Sequence, residues 1–292
     1  MSKTSRRQSI LARASVSPKG GNQDASVVLH HDVPGYSLVV VADGIGSHPG
    51  AEVGARLAVE TAAELFRKAD PRRLDPRLLF SGAADALGKL AARECVEPEE
   101  RDKRFGTTLL CVVETPTELR IAYVGNGGIF LVRPGLLGSG SQGAAGWAAT
   151  NLLSPHSVSR NGKDVLVRFL SGRGGCPAAN PTALTLSRDP RHGEIVLLCT
   201  DGVWSADQPT LGTDSDGKTW HLHEEPLARV LSALGEAAAG GPADRLALEA
   251  ALAACLEELD RGNLLDDDCT VAVLDTRGSI PASARGTDGP HA

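Results

Sequence analysis

Short runs that are apolar on both faces stand out along the chain: residues 37–42 (SLVVVA), 109–113 (LLCVV) and 196–199 (VLLC). Each is too short for a buried helix, and doubly apolar strands belong inside a covered sheet. Further strands are expected at 10–16, 25–30, 107–114, 118–124, 128–133, 147–153, 165–170, 182–186, 194–200 and 269–274. The turn signals Thr115-Pro116 and Gly125-Asn126-Gly127 make 107–133 a meander, so the sheets should be largely antiparallel. The period becomes helical at 50–68, where Val53, Leu57, Ala58, Thr61 and Leu65 share a face, and at 76–95, with Leu78, Leu79, Ala83, Leu87 and Leu90. Two more helices are read at 226–238 and 242–260. Strands, two helices, strands, two helices and a closing strand predict an α+β fold, an αββα sandwich of two largely antiparallel sheets flanked by helices. One domain, 10–275, is expected between a flexible 1–9 and a disordered tail, 276–292, of Gly, Pro, Ser and Ala.

Composition narrows the class. The 292 residues carry 30 Lys+Arg against 36 Asp+Glu, a formal net charge of -6, which argues against nucleic acid or an anionic membrane as the main partner. A hydrophobic content of 41% suits a globular domain, and 3% aromatic residues require an aliphatic core. The basic N-terminus lacks an apolar h-region and nothing approaches the ~20 apolar residues of a membrane span, so a cytoplasmic protein is expected. Six cysteines without a CxxC pair read as free thiols. An excess of Arg over Lys with abundant Ala and Gly suits a GC-rich, bacterial genome.

Acidic residues sit just past the ends of the apolar strands: Asp24 before ASVVL, Asp43 after SLVVVA, Asp201 after EIVLLCT, Asp267 and Asp268 before CTVAVL. Either Asp-Gly pair alone is an ordinary turn. Together, carboxylates at the ends of central strands converge on one sheet edge, where two charges 4 Å apart repel by about 4 kcal/mol at an effective dielectric near 20. Such a cluster calls for a cation, and oxygen donors without His or Cys favour Mg²⁺ or Mn²⁺ over Zn²⁺. No HExxH, GxxxxGK[ST] or GxSxG competes. His221 and His223 have metal-like spacing but lack a nearby partner, and read as loop histidines.

KGGNQDAS (19–26), VVADGIGSHPGAEVGA (40–55), FGTTL (105–109), YVGNGGIFLVR (123–133), VLLCTDGVW (196–204) and DDDCTVAVL (266–274) resemble, in order and spacing, the metal-dependent protein phosphatases of the 2C type in their bacterial form. The resemblance implies a metal-dependent serine/threonine phosphoprotein phosphatase in which two Mn²⁺ or Mg²⁺ ions activate a water that attacks phosphoserine or phosphothreonine directly. By motif, Asp43 resembles the bridging carboxylate and the Gly44 carbonyl a ligand of the second ion, with Asp201 and Asp267 on the first. Asp24 resembles the acidic residue of the first motif, acting directly or through water. Lys19 stands where the family has a phosphate-gripping arginine, replacing a bidentate fork by a point charge; its alternative is a solvated surface lysine. His48 would either protonate the leaving alkoxide or orient its loop. The implied partners are a phosphorylated protein and a cognate Ser/Thr kinase.

Two departures qualify the inheritance. VGNGG replaces the family's VGDSR, which puts Asn126 at a third metal site and predicts that site to be weak or absent. The stretch from His156 to Phe169 is short, so the family's flap subdomain is expected to be abbreviated. In the acidic triplet Asp266 reads as a solvated loop residue, and Asp268 aligns with a family Asn. The rival reading is a catalytically weak or inactive phosphatase-like module that binds a phosphoprotein or kinase; a phosphatase of small phosphorylated molecules is a third.

Overall fold

The structure, a computed structural model, describes residues 8–18, 20–94, 96–134, 147–160, 163–175, 180–188, 193–206, 210–213, 219–221, 224–238 and 244–279. In chain order the elements are β1 (Ile10–Val16), β2 (Ala25–His30), β3 (Ser37–Ala42), α1 (Ala51–Lys68), α2 (Arg77–Arg93), β4 (Leu109–Glu114), β5 (Glu118–Val124), β6 (Gly128–Pro134) and β7 (Trp147–Asn151). They continue with β8 (Ser157–Arg160), β9 (Lys163–Leu166), β10 (Thr182–Ser187), β11 (Ile195–Cys199), β12 (Thr210–Thr213), β13 (Thr219–His221), α3 (Glu224–Ala238), α4 (Arg245–Arg261) and β14 (Cys269–Asp275). One five-stranded sheet has the order β1-β14-β11-β6-β7 and the other β10-β5-β4-β3-β2, with β8-β9 and β12-β13 as separate ribbons. The pairings are antiparallel.

The strand period sorts the core into layers. In β3, Leu38, Val40 and Ala42 pack against α1 and α2, while Val39 and Val41 meet the opposite sheet. In β11, Ile195, Leu197 and Cys199 face α3 and α4, while Val196 and Leu198 turn inward. Doubly apolar strands therefore fill two interfaces at once, giving the expected four-layer αββα order, and each buried Val or Leu contributes roughly 1.5–3 kcal/mol. Cys111, Cys199, Cys255 and Cys269 are free and buried, as read; Cys95 and Cys176 lie outside the described residues.

Several boundaries differ for local reasons. The strand expected from 107 begins at Leu109, because Thr107 and Thr108 bond instead to Asp43. The strand expected at 147–153 ends at Asn151, whose side chain turns back to Leu153. The apolar run 165–170 is split: Lys163–Leu166 pairs with Ser157–Arg160 as a ribbon, and Leu170 returns to bond with Thr107. Leu78, assigned to the buried face of the second helix, is 58% exposed. On α1 the buried stripe is Ala55, Ala58, Val59, Ala62 and Phe66, while Leu65 and Thr61 lie against Gly82 of α2. Residues 276–279, expected in the tail, form a 3-10 turn in which Thr276 is buried and Ser279 accepts from Arg188 (2.7 Å). Ser9, placed in the flexible N-terminus, is buried and donates to Glu114.

Candidate metal centre

Asp43 leaves the end of β3 with its main chain held from both sides. Its N–H donates to Thr108 Oγ1 (2.9 Å), and its carbonyl accepts from Thr107 Oγ1 (2.8 Å) and Thr108 N (2.8 Å). The backbone is thus satisfied by FGTTL, and the carboxylate is left for other use. The motif also carries Phe105 at φ 57, a left-handed conformation unusual for a bulky residue, kept by a buried ring packed on Gly50 and a main chain packed on Gly54. That turn delivers the Gly106 carbonyl to Ile45 N (2.9 Å), closing the loop after Asp43.

From the facing sheet, β11 ends in Thr200-Asp201 and β14 opens after Asp267-Asp268. The Thr200 hydroxyl accepts from Thr270 N (2.9 Å) and donates to Asp24 Oδ2 (2.8 Å), so one side chain ties β14 to the β1-β2 loop. Asp268 Oδ2 accepts from Gln23 N (2.7 Å), and the Gln23 carbonyl accepts from Gly44 N (3.1 Å). Asn126, in the β5-β6 turn between the sheets, donates from Nδ2 to Asp201 Oδ2 (2.9 Å).

These residues border a cleft of about 450 Å³ whose walls include Asp43, Gly44, Asn126, Asp201, Asp267 and Asp268, with Leu166 of β9 at one side. Burial, then Asp201 and Asp24, push the Asp43 carboxyl well above the usual carboxylate range, and it shares a hydrogen bond with Asp201. Burial raises Asp24 to about 7, against the opposing hydroxyls of Thr200 and Thr270. Both shifts follow from placing like charges in a desolvated cleft. Among the described residues, the donors of three or more Asp, Glu, His or Cys side chains do not converge on one point. The carboxylates are instead engaged by neighbours, Asp201 by Asn126 and Asp24 by Thr200.

Of the residues singled out in the sequence, Asp43, Gly44, Asp201 and Asp267 come together. Asp24 stands behind the cleft wall, its Oδ1 buried without a hydrogen-bond partner. His48 packs edge-on against Phe169 (5.3 Å between ring centres), with the Gly106 backbone so close that a Cβ there would lie 2.1 Å from Nδ1. Burial lowers its pKa, and Nδ1 has no partner. That environment suits loop packing. Lys19 and His223 lie outside the described residues. Sequence reasoning missed Thr107, Thr108 and Thr200, the hydroxyls that fix the acidic loops, and the clasp role of Asp268; their signal was adjacency to the acidic motifs.

An acidic cleft thus lies between two antiparallel sheets with helices on both outer faces. The model of the family described as Protein phosphatase 2C matches residues 17–257, and the chain belongs to that family. The curated serine/threonine protein phosphatase PstP of Mycobacterium tuberculosis is 28% identical over 173 residues, 58% of this chain and 32% of PstP, so the match spans about a third of that relative's length. Among solved structures, the catalytic domain of PstP in complex with two manganese ions superposes with a TM-score of 0.58 at 20% identity, covering 92% of this chain and 99% of that one. Stp1 of Staphylococcus aureus, a serine/threonine phosphatase, gives 0.61 at 13% identity, covering 94% and 97%.

Proposed function

We propose that the chain is a serine/threonine phosphoprotein phosphatase dependent on two Mn²⁺ or Mg²⁺ ions, releasing phosphate by direct attack of water. The observation that carries this reading is the set of carboxylates crowded in one cleft, where burial and the neighbouring carboxylates push the Asp43 carboxyl well above its usual range. The donor set is entirely oxygen, and buried oxygens of Asp24 and Asn126 lack hydrogen-bond partners, which suits hard cations and the water they carry. Asp43, the Gly44 carbonyl, Asp201 and Asp267 would hold the ions. Such ions supply Lewis acidity and lower the pKa of water.

The chain's own residues do the positioning. Thr107 and Thr108 hold Asp43, Asn126 orients Asp201, and Asp268 clips the Gly20–Asp24 loop through Gln23. Gly20 and Gly21, both at positive φ, carry main chain to the cleft rim; Lys19, which precedes them in the sequence, would contact the phosphate. Unaided phosphate-monoester hydrolysis needs up to ~10²¹-fold acceleration, so positioning and charge neutralisation must supply most of the effect. The substrate is a phosphoprotein, its kinase a Ser/Thr kinase, and the site of action the cytoplasm; no helix among the described residues is long and apolar enough to cross a membrane.

Asn126 favours a second reading. Its amide occupies one oxygen of Asp201, as it would in a weak or inactive module that binds phosphoproteins without turnover. Calorimetric titration of chelator-stripped protein with Mn²⁺ separates the two. Two ions bound by the wild type, with loss in Asp43→Asn, support the enzyme; no binding by folded protein overturns it.

A further inference from the structure

At the open edge of the second sheet, a groove of about 440 Å³ lies between β10 and the α1-α2 connection. β10 pairs with β5 on one side, and among the described residues no main-chain hydrogen bond reaches its other side. An exposed strand edge is a template for another extended chain. The groove is lined by four arginines, Arg72, Arg73, Arg77 and Arg120, against one aspartate, Asp75, in a chain whose net charge is -6.

The arginines divide into two kinds. Arg120 is used internally, donating to the Leu74 carbonyl (3.0 Å) and to Glu118 (3.1 Å). Arg72 and Arg77 are more than half exposed and pair only with near neighbours, Asp70 at 3.8 Å and Asp75 at 3.3 Å. Arg73 is exposed and has no ion pair among the described residues. Three guanidinium forks beside an unpaired strand edge match a ligand that offers both main-chain amides and carboxylates.

We propose that this groove docks an extended acidic segment of a partner protein, which adds as a strand to β10 and lays alternate carboxylates against Arg72, Arg73 and Arg77. Side chains on one face of an added strand recur every second residue, so alternating acidic and apolar residues fit, the acidic ones on the helix side with the arginines and the apolar ones on the inter-sheet side, next to Leu184. The track leads toward the acidic cleft. β10 starts at Thr182, whose hydroxyl bonds His156 next to the β5-β6 turn, and Arg120 to Asn126 is six steps along β5 and its turn, roughly 20 Å of extended chain. That the docked segment belongs to a substrate rests on the phosphatase reading; the binding of an acidic strand does not.

The test uses a fluorescein-labelled peptide of alternating Glu and Val, followed by anisotropy against the full chain in chelator, where the metal-free cleft is anionic and repels it. Its Lys-Val counterpart is the control. The proposal expects the Glu-Val peptide to bind and the Lys-Val peptide not to. It expects the combined Arg72→Ala, Arg73→Ala, Arg77→Ala variant to bind about ten-fold or more weakly. N-methylation of one alternate set of peptide amides should abolish binding, and methylation of the other set should leave it. No binding, equal binding of both peptides, an unaffected arginine variant, or equal tolerance of both methylated sets would overturn it. Should the variant lose its melting transition, the methylated peptides decide alone. If the Glu-Val peptide binds but the metal-loaded protein releases no phosphate from phosphothreonine peptides in a separate assay, the activity falls and the groove stands.

Discussion

Asp43 illustrates how one residue can be held without using its functional atoms. Three hydrogen bonds between its main chain and Thr107 and Thr108 place it, one donated by Asp43 and two accepted, and the carboxylate takes no part in them. Asp43→Asn keeps that scaffold and removes only the charge. Turnover should fall about 10³-fold or more while the metal-free protein melts no lower, because the substitution also relieves repulsion within the cleft. Phosphate release and a thermal melt check the two halves; lost stability would mean that the carboxylate is structural. Asn126 requires a different experiment. The sequence suggested a forfeited metal ligand, whereas the structure shows an amide aimed at Asp201. Asn126→Ala should weaken Mn²⁺ binding about 10–100-fold, as loss of a ligand-orienting partner does, and calorimetry would read it. Unchanged affinity would show that Asp201 needs no such guide.

His156 works through the elements it joins. Its N–H donates to the Gly125 carbonyl (2.9 Å), Nδ1 accepts from Gly125 N (3.2 Å), and Nε2 meets Thr182 Oγ1 (2.8 Å), while the ring stacks on Tyr123. Burial, with Arg168 nearby, lowers its pKa to about 4, so the neutral ring needed to accept at Nδ1 persists through neutral pH. His156→Ala should cost about 1–3 kcal/mol of stability by leaving the turn amide unpaired, and denaturant unfolding measures it. A loss below a few tenths would remove His156 from the account of the turn. The strands read most directly from the sequence are those apolar on both faces, such as β3 and β11, since only a covered sheet explains them. The strand expected at 165–170 differs because VLVRFL has strand composition but only Val165 and Leu166 pair in the ribbon β8-β9. Thr210–Thr213 and Thr219–His221 escaped because short polar strands carry no hydrophobic period. At the centre, the acids were legible from their places after strands. The hydroxyls that fix them were not, because nothing in a single sequence says which of many threonines faces a loop.

Across the molecule, the cleft stores unfavourable charge that protons or cations relieve. Asp24, ordinarily near 3.8, is raised to about 7, and Asp43 shifts the same way. Groups with raised folded pKa values contribute stability that is complete below the unfolded value and is lost as pH climbs through the folded one. Metal-free protein should therefore melt at a higher temperature near pH 5.5 than near pH 8, and saturating Mn²⁺ should flatten or reverse the trend, because cations compete better with protons as pH rises. Calorimetric melts at the two pH values, with and without Mn²⁺, check this; a metal-free protein that gains stability with pH would contradict the charge arrangement described.

The most direct test of the central claim is phosphate release from a phosphothreonine peptide by chelator-stripped protein titrated with Mn²⁺ and Mg²⁺. Release that depends on the metal and disappears in Asp43→Asn is the predicted result. Folded protein that binds Mn²⁺ yet releases no phosphate from any of several phosphopeptides would contradict it and leave the phosphatase-like binding module as the surviving reading.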